Sequence, residues 1–314
     1  MKNCLSCNTK LLPNALFCHN CGKQADGDGV VCFECNNLNP KGARFCSRCG
    51  TPINIQYTPK PNISPIYGLD FNDIPTLPTQ LSEAFKISIS LALEAENNTE
   101  KEALFLQTFE KSPFKQQYLE ETTVLMTQEF EDIFEERGIS AFKVIEAEIE
   151  RQFAALLERF FIDFCNPLLP HQLSKQILHY QEASFLTTNL HRMANDYLHL
   201  EEEALISYSS AIDIPLKKLK NARSTFFKPE AGEIPYIFID HTLLRSGKEG
   251  CILTAKAIYW KAYFQKSARI EYSAIQKLTY YKDRVEINDI YLNISPSINY
   301  KIYRFLARLK TLLL

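Results

Sequence analysis

Residues 142–164 read FKVIEAEIERQFAALLERFFIDF, and this stretch decides the fold of the middle of the chain. Its apolar residues advance in steps of three or four positions, which places them on one face of a helix. They are Phe142, Ile145, Ile149, Phe153, Leu156, Phe160 and Phe164. Ser140 is a suitable N-cap, and Pro167 cannot continue a helix. The pattern predicts one long helix between these two residues.

Residues on both sides of this stretch keep the same spacing, and Gly138 is the only glycine from 81 to 223. Further helices are predicted over about 80–97, 100–136 and 170–210, the last with an interruption allowed. Antiparallel helices bury such apolar faces by packing as a bundle, so we predict an all-α bundle over 80–224. The phenylalanine-rich face belongs to the bundle core in this interpretation. A homodimer seam is the alternative.

The pattern changes after about residue 233, where short runs rich in β-branched and aromatic residues follow one another. Turn residues such as Ser246-Gly247 separate the runs, as is typical of antiparallel strands. The runs cover 234–239, 251–254, 257–264, 270–272, 275–281, 284–287 and 290–294. Their regular spacing predicts an antiparallel meander or a small barrel. Residues 297–314 follow with one apolar face at helical spacing, which predicts a final amphipathic helix.

Residues 244–259 read LRSGKEGCILTAKAIY, and residues 270–275 read IEYSAI. These segments resemble bacterial domains of the pleckstrin-homology (PH) type. The resemblance covers about 233–314, within a domain that we place at 225–314. It implies an antiparallel β-barrel with one end closed by the C-terminal helix.

Eight of the ten cysteines form four CxxC pairs with a repeat of 28 residues. Two such pairs across a short loop supply the four thiolates of a tetrahedral structural zinc site. We predict two structural Zn²⁺ ions, with pairing inside each repeat favoured over crossed pairing. The ligand sets are Cys4, Cys7, Cys18 and Cys21, and Cys32, Cys35, Cys46 and Cys49. A redox motif or a disulfide framework is disfavoured, because the pairs are repeated without a βαβ pattern and no apolar signal segment is visible.

The zinc-ligand pattern extends beyond the cysteines, since ALFCHNCG at 15–22 matches ARFCSRCG at 43–50. Residues 1–50 resemble the double zinc ribbon family, whose members are accessory modules attached to other domains. The resemblance implies binding or scaffolding more than catalysis. Residues 51–79, with repeated prolines, are predicted to be a linker locally stiffened by those prolines. The predicted fold class is multidomain α+β, with zinc ribbons, a helical bundle and a PH-like barrel.

The formal charge is segregated along the chain. Residues 1–50 carry six Lys/Arg against three Asp/Glu (net +3), 51–224 carry fifteen against twenty-six (net −11), and 225–314 carry fourteen against eight (net +6). Basic ends can attract anionic partners. Candidate partner-binding residues are Arg44, Phe45 and Arg48 on the ribbons, with Arg245 and Lys248 at the first C-terminal hairpin. Protein partners are favoured, nucleic acid is the alternative for the ribbons, and an anionic lipid headgroup is the weaker option at the hairpin.

Two HxxE sequences, His179/Glu182 and His199/Glu202, are the only candidate catalytic constellation. On neighbouring helices they could hold a metal pair, which would make the bundle a metalloenzyme. No phosphate-binding loop, dinucleotide fingerprint or serine nucleophile motif occurs. Cys165 and Cys251 lie in apolar contexts and are predicted to be buried thiols.

These features favour a non-enzymatic, cytoplasmic adaptor that holds protein partners, with no residue assigned a catalytic role. The alternatives are a nucleic-acid-binding regulator acting through the ribbons and a metalloenzyme of the bundle. No run of apolar residues reaches the length that a bilayer-spanning helix requires.

Overall fold

A computed structural model describes residues 29–31, 38–40, 47–48, 69–70, 73–137, 142–181 and 183–313. The chain divides into two compact units, Met1–Ile63 and Ser64–Leu314. In the first unit, β1 (Gly29–Val31) pairs with β2 (Leu38–Pro40) in antiparallel fashion. The eight predicted zinc ligands, with Arg44 and Phe45, lie outside the described residues. Arg48 lies in an exposed turn.

The second unit contains seven α-helices in its described part. They are α1 (Leu77–Ala95), α2 (Glu102–Lys111), α3 (Glu120–Arg137), α4 (Phe142–Phe164), α5 (Leu190–Leu198), α6 (Leu216–Thr225) and α7 (Pro296–Leu313). The predicted long helix at 142–164 is confirmed as α4. Its apolar face is buried, and Phe160 packs edge-to-face against Phe109 of α2 with ring centroids 5.9 Å apart. The phenylalanine stripe therefore belongs to this unit's own core.

Two of the predicted helices are wrong in extent. The helix expected at 100–136 breaks at Ser112-Pro113, where proline cannot donate a backbone hydrogen bond, and resumes through a π-helical turn, Lys115–Leu119. The long helix expected at 170–210 is replaced by short 3₁₀ turns, α5 and a strand, β3 (Ile206–Tyr208). Pairing of β3 with a distant strand overrides the local helical pattern there.

The remaining strands form two antiparallel sheets. They are β4 (Pro235–Asp240), β5 (Gly250–Thr254), β6 (Ala257–Lys261), β7 (Ala268–Glu271), β8 (Leu278–Tyr281), β9 (Arg284–Ile287) and β10 (Ile290–Leu292). One sheet has the order β3-β4-β5-β6-β7, and the other has the order β10-β9-β8. The predicted antiparallel strands are confirmed.

The predicted closed barrel is wrong, because no hydrogen-bonded pairing joins the two sheets within the described residues. The outer edge of β4 is occupied by β3, with Ile206 opposite Asp240 and Tyr208 opposite Phe238. That edge therefore has no free backbone groups along those residues to pair with the second sheet.

The last helix, α7, contacts β8, β9 and the turn Tyr272–Ala274 as well as α5. Its apolar face is buried as predicted, and Lys301 and Arg304 on other faces are buried too. One hydrophobic core consequently includes residues of the helices and of both sheets. A domain boundary near residue 225 stays a prediction. None of the helices in the described ranges is long and apolar enough to cross a membrane.

Candidate functional site

The loops between β4 and β5 and between β6 and β7 meet at one end of the five-stranded sheet. Alternate turns of an antiparallel meander lie on the same side, so the register places 241–249 beside 262–267. The backbone N–H of Leu243 donates to Tyr263 Oη at 2.7 Å, and the ring of His241 lies 5.2 Å from that of Tyr263. The two loops are thus directly linked.

Asp240, at the end of β4, fixes the first loop. Its fully buried carboxylate accepts hydrogen bonds from Lys218 Nζ at 2.5 Å, Thr242 N at 3.0 Å and Gly247 N at 3.2 Å. Burial alone would raise the pKa of Asp240, but the hydrogen bonds from Lys218 and Thr242 outweigh it and lower that pKa. The ionised carboxylate therefore ties helix α6 and the loop to the sheet.

Three apolar side chains project from these loops into water. Leu243 and Leu244 are each 87% exposed, and Phe264 is 100% exposed. Phe264 also has a φ of 58°, a left-handed conformation that is unusual for a bulky side chain. Strained backbone of this kind is often associated with function, and here it presents an aromatic ring to solvent.

Three cations lie among these apolar side chains: Arg245, Lys248 and Lys266. All three are exposed, and none forms an ion pair with another described residue. We call this surface, made of Leu243, Leu244, Phe264, Arg245, Lys248 and Lys266, the loop face. Exposed apolar groups bordered by polar ones are typical of interaction sites.

The sequence predicts Arg245 and Lys248 in the loop face but misses its apolar members. It places Phe264 in a strand over 257–264, whereas β6 ends at Lys261. The sequence signal that could have revealed them is the pair of adjacent leucines at 243–244, which lies outside any predicted strand. Lys261 pairs with Glu249 at 3.5 Å, and Lys256 lies in the β5–β6 turn at the other end of the sheet. Neither belongs to this surface.

The histidines of the two HxxE sequences do not lie inside α-helices. His179 is exposed in the 3₁₀ turn Lys175–Tyr180, and its partner Glu182 lies outside the described residues. His199 ends α5 with a φ of 45°, and its Nδ1 lies 3.0 Å from Glu202 Oε2. Among the described residues no group of three or more His, Cys, Asp or Glu side chains could hold a metal ion.

The two cysteines outside the CxxC pairs are confirmed as buried thiols. Cys165 and Cys251 are both fully buried and unpaired. Burial raises the pKa of Cys165 to about 12 and also raises that of Cys251. Both sulfurs are consequently protonated near neutral pH and are poor nucleophiles.

A buried ionic network joins helices α1, α4 and α7. Arg304 of α7 pairs with Glu96 at the end of α1 and with Glu158 of α4. Tyr300 Oη donates to Glu96 Oε2 at 2.8 Å. Burial opposes the charge of Arg304, but the two carboxylates hold its pKa well above the ordinary range. The network orients α7 against the helical layer.

No known protein family, curated protein or solved structure matches this chain. The zinc ribbon and PH-type resemblances therefore depend on the sequence motifs that suggested them. The interpretation of function depends on the geometry of the described residues.

Proposed function

We propose that this protein is a non-enzymatic, cytoplasmic adaptor that binds an acidic protein partner through the loop face. One observation carries the proposal: Leu243, Leu244 and Phe264 are exposed to water beside three cations that form no ion pair with any described residue. Burying those side chains against a partner removes apolar surface from water. This stabilises the complex by about 25 cal/mol per Å² of apolar surface buried. Acidic residues on the partner would complement Arg245, Lys248 and Lys266.

The number and spacing of the cations favour a protein over the other anionic partners. Recognition of anionic lipid usually involves four to eight clustered Lys or Arg residues, and the loop face has three. Binding to nucleic acid rests mainly on phosphate contacts, whereas half of the loop face is apolar. Lipid and nucleic acid are therefore the outcomes against which the proposal is tested.

The strand order supports a PH-like fold for the C-terminal part. A four-strand meander, β4 to β7, is followed by a three-strand meander, β8 to β10, and then by helix α7. That order agrees with the PH-type resemblance, with β3 as an added edge strand. In this proposal the loop face is the binding end of a PH-like module.

The N-terminal CxxC repeat supports a second, separable contact module. Four thiolates complete a tetrahedral shell and leave no open position for water, so each zinc would be structural. Arg44, Phe45 and Arg48 are proposed to contact partners. Nucleic acid is the second candidate ligand here, because both basic and aromatic residues lie between the cysteines.

Replacing the apolar part of the loop face should abolish partner capture without unfolding the chain. We expect the variant Leu243→Ser/Leu244→Ser/Phe264→Ser to lose at least about tenfold in affinity, since contact residues of this kind often contribute about 1 kcal/mol or more. The measurement is quantitative capture from a lysate of the native host, followed by titration of the recovered partner.

The matched control is Leu104→Ser/Leu186→Ser/Ile212→Ser, which removes exposed apolar side chains elsewhere. An equal loss of partner affinity in both variants would contradict a specific binding site at the loop face. If the wild-type protein bound phosphatidylserine vesicles or DNA and captured no protein, the partner would be a lipid or a nucleic acid instead of a protein.

Metal analysis of the full chain should find two zinc ions, and Cys18→Ser should remove one of them. Because metal binding supplies most of the folding free energy of such small modules, the affected repeat should unfold. The melting of unit Ser64–Leu314 should not change. Fewer than two zinc ions in the wild type, or disulfides between these cysteines, would refute the assignment.

A further inference from the structure

Helix α3 carries exposed apolar side chains on its outer face. Val124 is 47% exposed and Leu125 is 58% exposed, whereas Met126 and Phe130 on the inner face are buried. The helix packs against α1, α4 and the π-helical turn Lys115–Leu119. Val124 and Leu125 therefore remain available for a contact with another molecule.

Carboxylates surround these two apolar side chains. Glu121 and Glu129 lie four positions before and after Leu125, so they are its neighbours on the helix surface. Asp132 lies seven positions after Leu125, two turns further along the same face. All three carboxylates are exposed, and none forms an ion pair with another described residue. We call this surface, made of Glu121, Val124, Leu125, Glu129 and Asp132, the α3 face.

The charge of the α3 face is not neutralised by its surroundings. Helix α3 has seven acidic residues and one basic residue in its sequence. Exposed carboxylates elsewhere in this unit are often paired, as Glu100 is with Lys282 and Asp289 is with Lys277, each at 2.7 Å. The carboxylates of the α3 face therefore remain available to cations on another molecule.

The α3 face and the loop face are similar in composition and opposite in charge. Each combines exposed apolar side chains with three charged groups, which are carboxylates on the α3 face and cations on the loop face. A contact between the two faces would bury apolar surface and place opposite charges together. Both faces belong to unit Ser64–Leu314 and are exposed when that unit is folded, so the contact requires two molecules.

We infer that the acidic protein bound by the loop face is a second copy of this chain, which presents its α3 face. The inference rests on the proposed function, since it names the partner of the loop face. The apolar side chains of the two faces pack together, and the three cations lie against the three carboxylates. Because the two faces differ, the contact is head-to-tail. Repeated contacts of this kind close into a ring or extend into a filament, according to the rotation between copies.

The test is charge reversal in the full chain, with self-association measured by sedimentation velocity over a concentration series. The variant Glu129→Lys/Asp132→Lys reverses the α3 face, and Lys248→Glu/Lys266→Glu reverses the loop face. We expect each variant to associate with itself at least about tenfold more weakly than the wild type, because like charges then face each other. An equimolar mixture of the two variants restores opposite charges at the contact and should associate again. A chain with all four changes should also associate.

The matched control is Glu201→Lys/Glu202→Lys, which makes the same change of charge at exposed residues outside both faces. It should associate as the wild type does. A wild type that stays monomeric at every concentration, or a mixture of the two variants that does not associate, would overturn the inference.

Capture from a lysate of the native host separates this inference from the proposed function. If the wild type stays monomeric but captures a different acidic protein, and Lys248→Glu/Lys266→Glu loses that protein, the proposed function holds and only the second copy is refuted. If the loop-face variant changes neither self-association nor capture, both proposals fail.

Discussion

Replacing Arg304 with methionine should destabilise unit Ser64–Leu314 by about 3–5 kcal/mol, because it leaves Glu96 and Glu158 buried without their cation. Guanidinium unfolding followed by circular dichroism measures the change. The loss should be larger at about pH 8 than at about pH 5. Burial already raises the pKa of the Glu158 carboxyl and Arg304 partly opposes that effect, so removing Arg304 raises this pKa further above its value in the unfolded chain. Stability then falls as the pH rises from the unfolded pKa towards the folded pKa.

Arg159→Met is the matched control for this prediction. Its partner Asp163 is 4.0 Å away and the arginine side chain is partly exposed, so the expected loss is below about 1 kcal/mol. Adding Glu96→Gln and Glu158→Gln to Arg304→Met should recover part of the stability, because the unpaired charges are removed. A small, pH-independent loss on Arg304→Met would show that the network contributes little.

Gly250→Ala should destabilise the fold by about 3 kcal/mol or more, the upper range for inserting atoms into a packed site. Gly250 begins β5 with a φ of 142°, and a Cβ there would lie 2.0 Å from the carbonyl oxygen of Ile239 on β4. Both atoms belong to backbones, so the strands must separate where Asp240 organises the loop face. The expected result is a lower midpoint of unfolding together with weaker partner capture.

The variant Gly232→Ala is the control that separates backbone strain from a steric clash. Gly232 has a φ of 80°, but a Cβ at this position would meet no other atom within 4 Å. Replacing it with alanine should lower the free energy of unfolding by about 1–2 kcal/mol, because alanine is disfavoured in the left-handed conformation. Similar losses for the two variants would mean that β4 and β5 can shift apart easily, which would contradict the close contact.

Elements with a strong local period are predictable from the chain. The three-and-four spacing from Phe142 to Phe164 leads to α4 within the limits of Ser140 and Pro167. The β-branched and aromatic runs after residue 233 lead to the antiparallel strands. Cys165 and Cys251 are correctly placed in the interior because apolar neighbours surround them in sequence.

The candidate site is only half predictable. Arg245 and Lys248 can be found because basic residues near a turn are visible in sequence. Phe264 is missed because an aromatic residue after a strand-like run is expected to continue that strand. Phe264 is exposed because β6 ends at Lys261 and the chain turns into a loop there.

Helix α4, the antiparallel strands and the last helix follow from the order of residues along the chain, because each is encoded by residues a few positions apart. The way in which they join depends on long-range packing. Strand β3 pairs with β4 across about 30 residues of chain and so becomes an edge strand of the five-stranded sheet. Arg304 meets Glu96 and Glu158 from 208 and 146 positions away. Contacts between residues so far apart leave no periodic pattern in the sequence, so only the folded chain reveals them.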